Sequence, residues 1–128
     1  MVLKGRVTSG KHDLSYWMDR LQEYYTAKAG MKLYPGSLNI ALPAPYVLPP
    51  DVIRLEKEEY GGTVSVSMQP CQIFGRKAFI IRTDKNASGM GDHPLTIIEI
   101  AADVRLRDEY HLSDGDMVEI IVDHGGTS

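Results

Sequence analysis

The stretch Met31-Lys32-Leu33-Tyr34-Pro35-Gly36-Ser37-Leu38-Asn39-Ile40 sets a Pro-Gly turn directly before a run in which polar and apolar residues alternate. Alternation at period two marks a strand with one face in the core, which assigns Leu38 and Ile40 to the core and Ser37 and Asn39 to the opposite face. Two readings of that polar face stand. In one, Ser37 and Asn39 simply face water behind a turn. In the other, a hydroxyl and a carboxamide two positions apart offer two neutral oxygens to one ligand. That arrangement suits magnesium, which keeps most of its waters and takes few protein oxygens where phosphates supply the rest.

Outward from this strand, residues 37–42, the chain is punctuated by short β-prone runs. Leu3 to Ser9 alternates as a strand, with Gly10 ending it. Further runs fall at Thr63 to Met68, Cys71 to Phe74, Lys77 to Arg82, Leu95 to Ile100 and Met117 to Val122, with turn residues at Gly61-Gly62, Gly75 and Asp114-Gly115-Asp116. Leu14, Trp17, Met18, Leu21, Tyr24 and Tyr25 recur at spacings of three and four. This predicts one amphipathic helix near the N-terminus whose aromatic-rich stripe packs on the sheet, capped by Asp13 and stopped at Gly30. Pro43, Pro45, Pro49 and Pro50 form a stiff surface connector. A turn of helix is expected near Arg105 to Tyr110, and the polar stretch from Asp84 to His93 reads as a long loop of the kind that often carries function. Many short strands with a single substantial helix predict a mainly β barrel or sandwich.

The chain has 128 residues, 43% of them apolar, enough for one core and one domain over residues 1–123, with a frayed tail at 124–128. No apolar run has the length of a membrane span and the start lacks a signal-peptide centre, so a cytoplasmic location is the default expectation. A net charge of −3 without a basic stripe argues against nucleic acid as a partner. Cys71, the single cysteine, excludes an intrachain disulfide and a multi-cysteine zinc site and is expected as a small buried or half-buried strand residue. The four histidines show no metal-ligand spacing. A nucleophile elbow, a Walker lysine loop and a dinucleotide glycine fingerprint are all missing from the sequence.

Glu99 interrupts the apolar run Thr96 to Ala102, where a charge is costly unless it faces water or has a partner in a cavity. Arg105 and Arg107 offer guanidinium forks to phosphate, or pair with Asp103, Asp108 and Glu109 on the surface.

Taken in order, Pro35 to Ile40, Ile97-Ile98-Glu99-Ile100, Val104-Arg105-Leu106-Arg107 and Leu112-Ser113-Asp114-Gly115-Asp116 give the chain a pattern that resembles the archaeal-type CTP-dependent riboflavin kinases over nearly its whole length. The resemblance implies a small six-stranded cradle-loop (RIFT-type) β-barrel with one amphipathic helix. It implies an enzyme that transfers the terminal phosphoryl group of CTP to riboflavin with magnesium, giving FMN. By position, it makes Ser37 and Asn39 the magnesium ligands, with serine where the family more often has threonine. Glu99 matches the flavin-contacting glutamate, either accepting a hydrogen bond from a ribityl hydroxyl or acting as general base. Val104, Arg105, Leu106 and Arg107 match the cytidine nucleotide segment. The family's flavin-binding threonine has no secure match; Thr83, Asn86 and Ser88 compete, and Asn86 is carried forward beside Glu99. Tyr34 and Met90 are candidates for stacking on the flavin.

One departure stands out. The family's glycine-rich phosphate loop reads here Thr8-Ser9-Gly10-Lys11-His12-Asp13, with only Gly10 of the cluster present. Either Gly10, Lys11 and His12 supply the donors that hold the phosphates, or the nucleotide site has been lost. The rival functions are accordingly a non-catalytic barrel that binds flavin or nucleotide, and a regulatory or interaction domain. Expected partners are riboflavin or FMN and a nucleotide, without nucleic acid or membrane.

Overall fold

A computed structural model describes residues 1–9, 13–84 and 95–122. In chain order the elements are β1 (Val2–Thr8), α1 (Asp13–Arg20), α2 (Gln22–Ala29), β2 (Leu38–Ala41), β3 (Ile53–Leu55), α3 (Lys57–Tyr60), β4 (Val66–Ile73), β5 (Arg76–Thr83), β6 (Ile97–Ala101), α4 (Leu106–Glu109) and β7 (Met117–Val122). The strands pair antiparallel in the order β4-β5-β6-β2-β1-β7, and β7 returns to β4 with Cys71 opposite Val122 and Ile73 opposite Ile120. The ring closes as a six-stranded barrel, and β3 lies against β4 outside it. Closure removes the unpaired edges that an open sheet of short strands would leave.

Two apolar clusters explain why these sequences make these strands. The barrel interior is filled by Val7, Leu38, Ile40, Cys71, Ile80, Ile98, Ile100, Val118 and Ile120. The second lies on the outer face of β4, β5 and β6, where Val66, Met68, Phe79, Ile81 and Ala101 meet Met18, Tyr25, Ala29 and Leu33 from the helical segment and its continuation. Strands covered on both faces do not alternate, which is why Ala78-Phe79-Ile80-Ile81 is buried throughout. The lone Cys71 is fully buried, as expected of a small strand residue.

Several expectations need correction. The helical segment is two helices of eight residues, broken at Leu21, and a single amphipathic helix is not what forms. Met18 and Tyr25 are buried, but Trp17 is 51% and Tyr24 41% exposed, so the aromatic stripe does not pack as a unit. The expected stop does hold: Gly30 is left-handed at φ 72°, and its N–H donates to Thr26 O at 2.9 Å. The helix opens at Asp13 itself. The runs at 63–68 and 71–74 belong largely to one continuous strand, β4. It tolerates Pro70 because β3 pairs with β4 up to Met68 and β7 pairs from Cys71, leaving Pro70 between the two ladders. Neither β3 nor α3 was anticipated.

The proline connector crosses the surface as expected, anchored by Leu42 and Tyr46, whose N–H groups donate to Thr96 O at 2.7 Å and Leu95 O at 3.0 Å. The expected helical turn after β6 is α4.

Candidate functional site

A cleft of about 510 Å³ opens where the ends of β1, β2 and β6 meet the segment leading into α4. Its walls are Thr8 and Ser9, the run from Tyr34 to Asn39, Ile100, and Val104 to Arg107. Each wall has a local cause. The turn at Pro35 and Gly36 feeds β2, whose Leu38 and Ile40 are drawn into the barrel core, and that leaves Ser37 and Asn39 on the outer face. The Tyr34 N–H donates to Ala102 O at 2.8 Å and ties this turn to the end of β6. The cleft thereby unites the expected metal ligands with the expected nucleotide segment.

Glu99 lies beside this cleft and not within its wall. It pairs in register with Asn39 across β2 and β6, and with Ile81 on its other side. The Ser37 hydroxyl donates to Glu99 Oε1 at 3.1 Å, which connects the carboxylate to the cleft. Glu99 is only 8% exposed, so the water-facing reading of this residue does not describe it. Asn39 is 7% exposed, and its Oδ1 is buried with no hydrogen-bond donor among the described residues. A buried acceptor left unmatched is unfavourable, and a cation or a donor from a ligand relieves it. Among the described residues no three His, Cys, Asp or Glu side chains gather as a metal cluster, so the cleft's oxygen donors are neutral ones.

The two arginines line the cleft and are also ion-paired. Arg105 pairs with Asp108, three residues on. Arg107 Nη2 lies 2.9 Å from Asp114 Oδ1, and Ser9 Oγ donates to Asp114 Oδ2 at 2.7 Å. The Ser9 hydroxyl and the Arg107 guanidinium hold the Asp114 carboxyl below the usual range. Asp103, another of the three expected partners, pairs with Arg76 instead, at 2.6 Å.

Sequence reasoning passed over the side chains of Asp114 and Arg82, whereas Tyr25 was expected to pack on the sheet. Tyr25 is buried in the outer cluster, and burial, helped by the nearby Tyr60 and Glu99, pushes its phenol pKa up. Arg82 is 5% exposed and donates to the carbonyls of Tyr46, Leu95 and Ile97, with burial pulling its pKa below the ordinary guanidinium value. The signal for Arg82 was present: it follows Ala78 and Ile80 at period two on the inward face of β5. It lines a second cleft of about 320 Å³ beneath the proline connector, beside Arg54, Ser67 and Asp84. Tyr34 lines the first cleft and is 39% exposed. Gly10, Lys11, His12, Asn86, Ser88 and Met90 lie outside the described residues.

The chain is a small closed six-stranded barrel protein with one cleft walled by neutral oxygens and ion-paired guanidinium groups. Residues 7–122 match the family model CTP-dep_RFKase, described as a domain of unknown function, DUF120. The chain belongs to this CTP-dependent riboflavin kinase family. It is 32% identical over 131 residues to the riboflavin kinase of Methanocella arvoryzae, covering 95% of this chain and 57% of that protein. With the riboflavin kinase of Thermofilum pendens it shares 30% identity over 133 residues, covering 95% and 59% of the two chains. With that of Methanobrevibacter smithii it shares 27% identity over 131 residues, covering 94% of this chain and 98% of the other. The chain thus spans under three-fifths of the length of the first two relatives. Among the described residues no helix is long and apolar enough to cross a membrane.

Proposed function

We propose that this protein is a riboflavin kinase that transfers the terminal phosphoryl group of CTP to the ribityl hydroxyl of riboflavin, giving FMN. The observation that carries the reading is the union in one cleft of Ser37 and Asn39 with the Val104 to Arg107 segment, two parts of the chain remote in sequence. Family membership and relatives named riboflavin kinase support it.

Phosphoryl transfer asks a protein for positioning and charge neutralisation more than for covalent chemistry. Ser37 and Asn39 fit a magnesium ion, because the Asn39 Oδ1 is a buried acceptor without a donor among the described residues and both residues offer neutral oxygens. Bound there with the nucleotide, magnesium would neutralise phosphate charge. Arg105 and Arg107, which line the same cleft, hold phosphate oxygens and keep their charge at any working pH. In this reading main-chain groups of Val104 to Leu106 contact the edge of the base. Glu99, tied to the cleft through Ser37, accepts or orients the proton of the attacking hydroxyl.

The test is to incubate the purified protein with riboflavin and magnesium, offering CTP, ATP, GTP and UTP in separate reactions, and to look for FMN by chromatography. FMN from CTP is the expected result. Riboflavin that remains unchanged with every nucleotide would leave a flavin- or nucleotide-binding barrel without kinase activity.

A further inference from the structure

Asp114 stands at the tip of a turn that is fastened to β1. Val7 N–H donates to Asp116 O at 2.8 Å, Gly115 N–H to Val7 O at 2.7 Å, and Arg6 Nη1 to Gly115 O at 3.0 Å. Within the turn, Ser113 N–H donates to Asp116 Oδ2 at 2.8 Å. A carboxylate mounted in this way has little freedom, and both of its oxygens are engaged with residues that line the cleft. Oδ1 meets Arg107 Nη2 at 2.9 Å and Oδ2 accepts from Ser9 Oγ at 2.7 Å. We propose that Asp114 is a positioning residue of the nucleotide site, holding the Arg107 guanidinium and Ser9 in place against the cleft wall before the nucleotide arrives.

Three observations support this. Among the described residues Arg107 makes its contacts, with Asp114 and with Thr8 O at 3.4 Å, through Nη2, and neither Nε nor Nη1 is engaged there. Its side chain is 28% exposed and that of Asp114 55%, and a pair so open to solvent contributes little to global stability. What the pair does instead is restrict a long, rotamer-rich side chain, so that less freedom is lost when an anion binds. The like charge of Asp114 opposes a phosphate, but the carboxylate is already matched by the guanidinium and the hydroxyl. The depressed pKa of Asp114 keeps this arrangement ionised throughout the neutral range.

The proposal rests on the kinase reading, and its test separates the two. The variant Asp114→Asn keeps an oxygen for Ser9 and removes the charge that holds Arg107. The nucleotide KM is expected to rise about tenfold, with kcat and the riboflavin KM within about twofold of the parent. In an Arg107→Ala background the same substitution should add nothing, because the partner through which it acts is gone. An unchanged nucleotide KM, or penalties that simply add in the double variant, would overturn the role. Calorimetric titration of magnesium-CTP without riboflavin makes the same comparison with no turnover. Should the protein form no FMN, weaker CTP binding by Asp114→Asn still supports the proposal, whereas CTP binding equal to the parent's, or none by the parent, removes it.

Discussion

Glu99 shows how much one side chain depends on what covers it. In the run Ile97-Ile98-Glu99-Ile100-Ala101, alternation along β6 assigns it to the face opposite Ile98 and Ile100, and the sequence alone leaves that face either wet or covered. The outer cluster beneath α1 and α2 covers it, and Ser37, 62 residues away, supplies a hydroxyl donor. Asn39 is its register partner, so the two most informative polar residues of β2 and β6 lie side by side. If Glu99 acts on the hydroxyl of the acceptor, Glu99→Gln should lower kcat by about a hundredfold or more while leaving the nucleotide KM nearly unchanged, measured by FMN formation at saturating riboflavin. Equal turnover by the variant and the parent would remove Glu99 from the chemistry. Ser37 and Asn39 were legible from sequence because their spacing is local. The pairing of Arg107 with Asp114 was not, since it depends on how the turn after α4 folds back onto β1.

At the scale of elements, β1 and β2 approach closely at Gly5. A Cβ there would lie 2.6 Å from Ala41 O and 2.6 Å from Ile40 Cγ2, so the contact is possible only without a side chain. Gly5→Ala is expected to cost about 1–3 kcal/mol, the usual range for an overfilled core position, read as a lower urea midpoint with an unchanged slope. The β4–β5 hairpin offers a second instance. Its two turn residues, Phe74 and Gly75, are both left-handed at φ 55° and 73°, as a two-residue hairpin requires. Gly75 announced the turn in the sequence, whereas Phe74 did not. Its ring stacks on Tyr110 at 4.2 Å, a contact made in the folded barrel that helps hold an unfavourable backbone state. The break at Leu21 was not legible: periodicity runs through it, and Met18 and Tyr25 on either side of it pack in the same outer cluster.

For the molecule as a whole, acid stability depends on a carboxylate network around Arg54. Its guanidinium meets Asp84 Oδ1 at 2.6 Å and Oδ2 at 2.8 Å, and Glu56 Oε1 at 2.7 Å, joining β3 to the end of β5. These bonds hold the carboxyls of Asp84 and Glu56 below their ordinary values. With the folded pKa depressed, the unfolded chain binds more protons over the interval between the two values. The contribution is complete above the ordinary carboxylate range and is lost as pH falls through the depressed value. Urea midpoints measured from pH 7 to pH 3 should therefore fall on acidification, less steeply for Asp84→Asn than for the parent, and parallel curves would exclude Asp84 from the effect. Period-two patterning and turn residues act over a few residues, so the mainly β class and the strand faces, including the shared face of Ser37 and Asn39, were legible in the sequence. Only the tertiary structure decided the barrel's closure, the burial of Glu99 and Arg82, and the assembly of one cleft from β1, β2, β6 and the approach to α4. Those depend on contacts between residues far apart in the chain, whose pairing is set by which surfaces can be buried together and not by any local run of sequence.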